Sequence, residues 1–257
     1  MIGIFDSGIG GLTVVRELER QAPDVPFVYL GDTARTPYGN KSAETVVRYA
    51  LEDAAFLVDR GADAIVIACN SASAVATDAL RTAYPGLPVF EVIAPAAEDA
   101  LAATKGAIGV IGTRATIASG AYERRIAGPK VRVIAQACPL FVPLVEEGWL
   151  EDAETKRIAR RYLSPLRQAQ VDTLILGCTH YPLIAPIIRR YMGNRVTLID
   201  SAASVVRRVL EGRGQEKTKE GQGTANRYFL TDLSKRSEEI ARAWLGHPVT
   251  FEQADLA

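Results

Sequence analysis

The sequence is poor in the residues that build metal centres and disulfide frameworks. Its 257 residues include three cysteines and two histidines, with no Cys-x-x-Cys pair. His180 and His247 stand far apart, so a zinc site has very weak support and no metal is expected. An odd number of cysteines argues against a disulfide framework and fits a reducing cytoplasm, with thiols free for chemistry. Charge of either sign is not in excess, since 30 Lys plus Arg balance 30 Asp plus Glu. Proteins that bind nucleic acid or an anionic membrane surface usually carry a basic surplus, so neither partner is expected. No apolar run is long enough to cross a bilayer. The first residues, Met1 to Gly11, lack the basic and apolar regions of a secretory signal.

What is present is ordinary globular composition, 48% hydrophobic and 23% charged. Such a chain forms one large domain or two of about 100–130 residues each. Short Val- and Ile-rich runs read as buried strands: Ile2–Phe5, Phe27–Leu30, Ala64–Ala68, Val89–Val92, Ala107–Ile111, Val131–Ala135, Thr173–Leu176 and Val196–Ile199. Between them lie amphipathic segments such as Leu12–Gln21, Ala43–Arg60 and Glu154–Gln168. Strand–helix alternation of this kind predicts an α/β fold of parallel sheets with helices on both faces. The stretch Glu211–Asn226 is polar and Gly-rich and reads as an exposed loop. After it, Tyr228–Thr231 and a helix over Ser234–Leu245 pack back on one of the domains.

The chain also repeats itself. Ile2-Gly3-Ile4-Phe5-Asp6 resembles Ile108-Gly109-Val110-Ile111-Gly112, at an offset of 106 residues. Ala62 to Asn70 resembles Val171 to Thr179, at an offset of 109, and both copies reach a cysteine at the end of the strand. Buried parallel strands all look somewhat alike, but the matched cysteines favour duplication of one α/β domain. The expected division is 1–94 plus 204–257 for the first domain and 95–203 for the second, with the active site in the cleft between them.

In open α/β sheets ligands bind beyond the carboxyl ends of the strands. The residues standing there are Asp6-Ser7-Gly8-Ile9-Gly10-Gly11, Gly31-Asp32-Thr33 leading to Pro37-Tyr38-Gly39, Cys69-Asn70-Ser71 and Cys178-Thr179-His180. Both Cys69 and Cys178 fall where a strand ends and a helix is expected to begin. A helix N-terminus offers open N–H groups that hold a carboxylate, and it lowers a thiol from its usual value of about 8.5 toward neutrality. Asn70, Ser71 and Thr179 add side-chain donors. Inverting a stereocentre by proton transfer needs a base on one face and an acid on the other, and two thiols can exchange those roles.

Each residue also has a plainer reading. A single buried cysteine is usually a small hydrophobe, and Cys138, which has no twin, is read that way. Asp6 could cap the following helix, His180 could be a satisfied core histidine, and Tyr38-Gly39 could be only a turn. The glycines of Gly8–Gly11 miss the spacing of a dinucleotide loop.

Five blocks resemble those of the glutamate racemase family: Asp6 to Leu12, Pro37-Tyr38-Gly39, Ala68 to Ala74, Cys138 to Glu146 and Gly177 to Leu183. The likeness runs from residue 2 to about residue 205. Ser71 departs from it, since the family more often has Thr there, but the hydroxyl is kept. The resemblance implies cofactor-independent interconversion of L- and D-glutamate, feeding peptidoglycan synthesis, in a cytoplasmic enzyme that is a homodimer. It makes Cys69 and Cys178 the acid/base thiols, with Asp6 assisting Cys69 and His180 assisting Cys178. It makes Glu146, or its neighbour Glu147, an auxiliary acid. It assigns Asp6, Ser7, Pro37, Tyr38, Gly39, Cys69, Asn70, Ser71, Cys178, Thr179 and His180 to substrate binding. Alternatives are another two-cysteine racemase of aspartate or hydantoin type, a non-catalytic module binding a small ligand, and a thiol redox protein.

Overall fold

The computed structural model describes residues 1–126, 128–213 and 226–256. Its strands, named in chain order, are β1 (Ile2–Asp6), β2 (Phe27–Gly31), β3 (Ala64–Ile67), β4 (Val89–Glu91), β5 (Ala107–Gly112), β6 (Arg132–Ala137), β7 (Thr173–Gly177), β8 (Thr197–Asp200), β9 (Arg227–Leu230) and β10 (Phe251–Gln253). They form two sheets in the order β10-β9-β2-β1-β3-β4 and β6-β5-β7-β8, and every paired strand within them is parallel. Each sheet lies in its own α/β domain.

The core of the first sheet, β2-β1-β3-β4, and the whole of the second, β6-β5-β7-β8, have the same order. Packing repeats along with topology. A Cβ on Gly3 would lie 2.8 Å from Ala62, 3.0 Å from Leu57 and 3.1 Å from Ile65. A Cβ on Gly109 would lie 3.0 Å from Leu174, 3.1 Å from Leu166 and 3.3 Å from Val171. These are the same three positions in each copy, 109 residues apart. In both halves glycine lets the helix before the third strand press close on the first strand. The repeat seen in the sequence is therefore a repeat of fold.

The strands are buried because helices cover them. Ile2, Ile4, Phe5, Val28 and Leu30 are all inaccessible, as are Ile108, Val110 and Ile111. One apolar cluster, with Phe5, Leu30, Ala54, Ile65 and Leu80, lies wholly in the first domain. The other runs from Ile4, Val14 and Tyr29 of that domain into Val110, Leu174 and Ile188 of the second. The domains thus share continuous apolar packing. No helix among the described residues is long and apolar enough to cross a membrane.

The tail joins the first sheet. β9 pairs with β2, β10 pairs with β9, and Tyr228 meets Phe27 edge-on at 5.4 Å. β10 was not foreseen; it is only three residues long, and two of them are exposed. The expected loop over Glu211–Asn226 needs correction at its start. Glu211 to Arg213 complete the helix Ser201–Arg213, because the apolar spacing of Val205, Val206 and Val209 carries the helix through the polar residues after it. Residues 214–225 of that expected loop lie outside the described residues.

Replacing Gly3 with Ala sets a new methyl against the rigid Cβ of Ala62, whereas at Gly109 the neighbours are the ends of mobile side chains. Gly3→Ala should cost about 1–3 kcal/mol and Gly109→Ala less. Urea midpoints at unchanged slope would measure both, and equal costs would contradict the difference in packing.

Candidate active site

Because parallel strands end on one edge, β1 and β3 present Asp6-Ser7 and Cys69 side by side. β5 and β7 present Thr113 and Cys178-Thr179-His180 in the same way. The two edges meet. The Thr13 hydroxyl donates to the Thr179 carbonyl at 3.0 Å, and a Cβ on Gly10 would stand 2.2 Å from Thr179 Oγ1 and 2.5 Å from His180 Cε1. Only a residue without a side chain permits this approach at position 10.

In the first half, Cys69 is 6% exposed and precedes the helix Asn70–Ala83. Its thiol donates to Ser7 Oγ at 3.4 Å. Burial, and then the nearby Asp6 carboxylate, push the thiol up to about 12, against the pull of the bonds to Ser7 and the Ala72 N–H. This corrects the expectation that a helix N-terminus brings Cys69 toward neutrality: loss of water and a facing carboxylate outweigh the dipole. Asp6 is 1% exposed and accepts from the Gly8 N–H at 3.0 Å. Among the described residues nothing donates to its Oδ2. Burial raises the carboxyl, while His180 across the cleft lowers it in part. Gly11 occupies the cap position of the helix Leu12–Gln21, so Asp6 is not its N-cap.

In the second half, Cys178 Sγ lies 3.8 Å from His180 Nδ1, and His180 Nε2 lies 2.9 Å from Glu146 Oε1. The partner of His180 is therefore Glu146, not Glu147. Burial would lower the imidazole, but Cys178 and Glu146 together raise it to about 10. The expected helix start directly after Cys178 is corrected. Thr179 and His180 lead into a single 3-10 turn, Tyr181–Ile184, and the α-helix begins only at Ala185. Pro182 lacks an N–H, which favours this delay. Cys138 is buried, and its thiol faces the Gln136 carbonyl at 3.6 Å.

Polar groups tie the halves together. Tyr122 donates to Asn70 Oδ1 at 2.7 Å, and Asn70 Nδ2 reaches Ser201 Oγ at 3.5 Å. The Ser71 hydroxyl lies 2.9 Å from Thr113 Oγ1 and 3.3 Å from Thr116 Oγ1. Thr113, Thr116, Tyr122 and Ser201 were missed in the sequence. Thr113 could have been found, since it follows β5 as Ser7 follows β1.

The side chain of Tyr38 does not enter the cleft. It is inaccessible, and its hydroxyl lies 2.8 Å from Asp53 Oδ2 and in hydrogen-bond contact with Asp32 as well. Of the substrate-binding role that the family resemblance implies for Tyr38, only the backbone is left to serve. Pro37 and Gly39 line a cavity of about 790 Å³ together with Thr113, Arg114, Leu140, Pro143, Glu146 and Tyr162; neither Cys69 nor Cys178 is part of its lining.

Two α/β domains with their strand ends on one cleft have the architecture of an enzyme for a small molecule, and the chain belongs to the Asp/Glu/Hydantoin racemase family, which residues 2–209 match. Within the family it stands with the glutamate racemases and is an isomerase. A glutamate racemase of Geobacter metallireducens is 48% identical over 251 residues, covering 95% of this chain and 92% of that protein. The solved glutamate racemase of Bacillus anthracis superposes with a TM-score of 0.93 at 38% identity, covering 100% of this chain and 97% of the other. The structure of the Francisella tularensis enzyme with D-glutamate gives 0.92 at 34% identity, over 99% and 97% of the two chains.

The His180 pair has a pH consequence. Its folded value of about 10 lies above the ordinary 6.5. The stabilisation is therefore complete below pH 6.5 and is lost as pH rises toward 10. Glu146→Gln should lower the upper end of that window, so that its melting temperature lies below the parent's near neutrality and the gap closes as pH rises toward 10. Thermal melts of both proteins across the window test this, and parallel curves would count against it.

Proposed function

We propose that this chain interconverts L- and D-glutamate with Cys69 and Cys178 as opposed acid/base thiols, without pyridoxal phosphate or metal. The observation that carries the reading is the pairing of equivalent strand ends. Each domain contributes one buried cysteine after its third strand, with the carboxylate of Asp6 acting on Cys69 and His180 3.8 Å from the Cys178 sulfur.

In this reading the substrate's Cα lies between the sulfurs. One sulfur, as thiolate, takes the Cα proton from one face, and the other, as thiol, delivers a proton to the opposite face. The product is the mirror image, and the two sulfurs have exchanged protonation states. With its thiol pushed up, Cys69 rests protonated and is set to donate. Burial in a closed cleft weakens solvation of both sulfurs and strengthens the pull of nearby charges on them. His180, between Cys178 and Glu146, stands within reach of the Cys178 sulfur to assist it. Asp6, with Oδ2 unpaired, is placed to assist at Cys69.

The substrate's carboxylates would be held by main-chain N–H groups at the start of Asn70–Ala83, which have no partner within the helix. Hydroxyls of Ser7, Ser71 and Thr179, the amide of Asn70 and the backbone of Pro37-Tyr38-Gly39 complete the set. The same reading divides the chain at 1–94 plus 204–257 and 95–203. It makes the protein a cytoplasmic homodimer that supplies D-glutamate for peptidoglycan, as the family resemblance implies.

Cys69→Ser and Cys178→Ser should each lower racemisation by at least about 10²–10⁴-fold, the usual share of a positioned acid or base, while circular dichroism stays that of the parent. Two-way racemisation at the parent rate by either variant would overturn the mechanism. In deuterium oxide, protein dialysed against chelator should place deuterium at Cα as it inverts glutamate. A requirement for added pyridoxal phosphate or metal would also overturn it.

A further inference from the structure

The helix Lys235–Leu245 follows β9 of the first sheet, yet two of its residues reach the second half of the site. Trp244 is buried and meets the His180 ring edge-on, with centroids 5.5 Å apart and planes at 84°. From the same helix, Arg236 donates to the Glu146 carbonyl at 2.7 Å. The helix is anchored on the first domain, where Arg16 donates to the Trp244 carbonyl at 3.4 Å and Ser234 caps its start. Both members of the His180–Glu146 pair therefore touch one helix that belongs with the other sheet.

We propose that Trp244 and Arg236 are positioning residues for the His180–Glu146 pair and couple the C-terminal helix to proton transfer at Cys178. The proposal rests on the reading of His180 as the partner of Cys178. An imidazole that serves a thiol must keep Nδ1 toward sulfur and Nε2 toward its carboxylate. Glu146, whose side chain is 39% exposed, holds Nε2, and Thr179 Oγ1 lies 3.3 Å from Nδ1, but neither contact packs on the face or edge of the ring. The indole limits tilt of the ring, and the loop at Gly10 closes on Cε1. Arg236 fixes the backbone that carries Glu146. The charged and titratable groups around the ring are Cys178, Glu146 and Asp6. The Arg236 guanidinium lies behind Glu146 and also pairs with Glu239 at 3.3 Å.

The chain has two tryptophans, and Trp149 is 45% exposed. Trp149→Phe therefore leaves Trp244 as the sole indole reporter. Its fluorescence should be quenched while His180 is protonated and should rise as His180 loses its proton. Adding His180→Gln should flatten that titration. Trp244→Leu should lower kcat about tenfold with KM within about twofold, the signature of misplacement rather than lost binding. Trp244→Phe should recover most of the loss. Arg236 is exposed, so Arg236→Gln tests the same coupling without disturbing the core. It should lower kcat about threefold and shift the alkaline limb of the pH profile. Emission of Trp244 that does not depend on pH, or a parental kcat and pH profile in Arg236→Gln, would overturn the proposal. Parental racemisation by Cys178→Ser would instead overturn the thiol reading and leave the fluorescence titration standing, so the two failures are distinct.

Discussion

Parallel strands all end on one edge of their sheet, and the site depends on that constraint. In each domain the first and third strands are neighbours, so the loop after one stands beside the loop after the other. One copy places Ser7 next to Cys69, and the other places Thr113 in the corresponding position beside the loop of Cys178. A single such domain could present a thiol to one face of a bound molecule only. Two copies, closed edge to edge through Thr13, Gly10 and Thr179, can present one to each face.

Duplication explains the geometry but not the electrostatics, which differ between the halves. Cys69 faces a buried carboxylate and a hydroxyl, without a cation among its strongest influences, so its thiol is driven up. Cys178 faces an imidazole backed by a carboxylate. A facing carboxylate favours the protonated sulfur; an imidazolium favours the ionised one. In the proposed reaction an acid/base pair acting across one carbon needs such unlike partners, a carboxylate at one sulfur and an imidazole at the other. Both settings need the exclusion of water, since the same groups in bulk solvent would exert far weaker fields.

Much of the scaffold was legible because burial on both faces forces strands into short Val- and Ile-rich runs, and those runs carried the repeat with them. Both cysteines stood out once the copies were aligned. What could not be read was set by neighbours distant in sequence. The thiol of Cys69 follows its desolvation and Asp6 rather than its own helix. Cys178 is not followed by an α-helix, although Cys69 is, because Pro182 enters the turn. Trp244 lies 64 residues from His180, and no local pattern joins them. Glu146 could be separated from Glu147 only by seeing which carboxylate reaches His180.

Tyr38 shows how a residue can matter to the site from behind it. Its hydroxyl joins Asp32 and Asp53, both fully buried, while Arg35 pairs with those two carboxylates and with Glu52. Two buried carboxylates beside a single guanidinium, which the part-exposed Glu52 also shares, leave an excess of negative charge that is costly unless a proton or strong donors compensate. The Tyr38 hydroxyl bridges both aspartates, and burial beside Asp32 raises the carboxyl of Asp53 well above its ordinary value, which favours keeping a proton there, so that Asp53 can donate to the hydroxyl while the hydroxyl donates to Asp32. Thr231 adds a further donor to Asp32 from the strand end of β9. The short segment from Asp32 to Asn40 is thereby pinned at both its acidic start and its aromatic middle. Pro37 and Gly39, on either side of the anchored tyrosine, then face the cavity as fixed backbone rather than as a loose loop. In the proposed reading, in which this segment's main chain meets the substrate, that rigidity matters because backbone groups cannot adjust by changing rotamer.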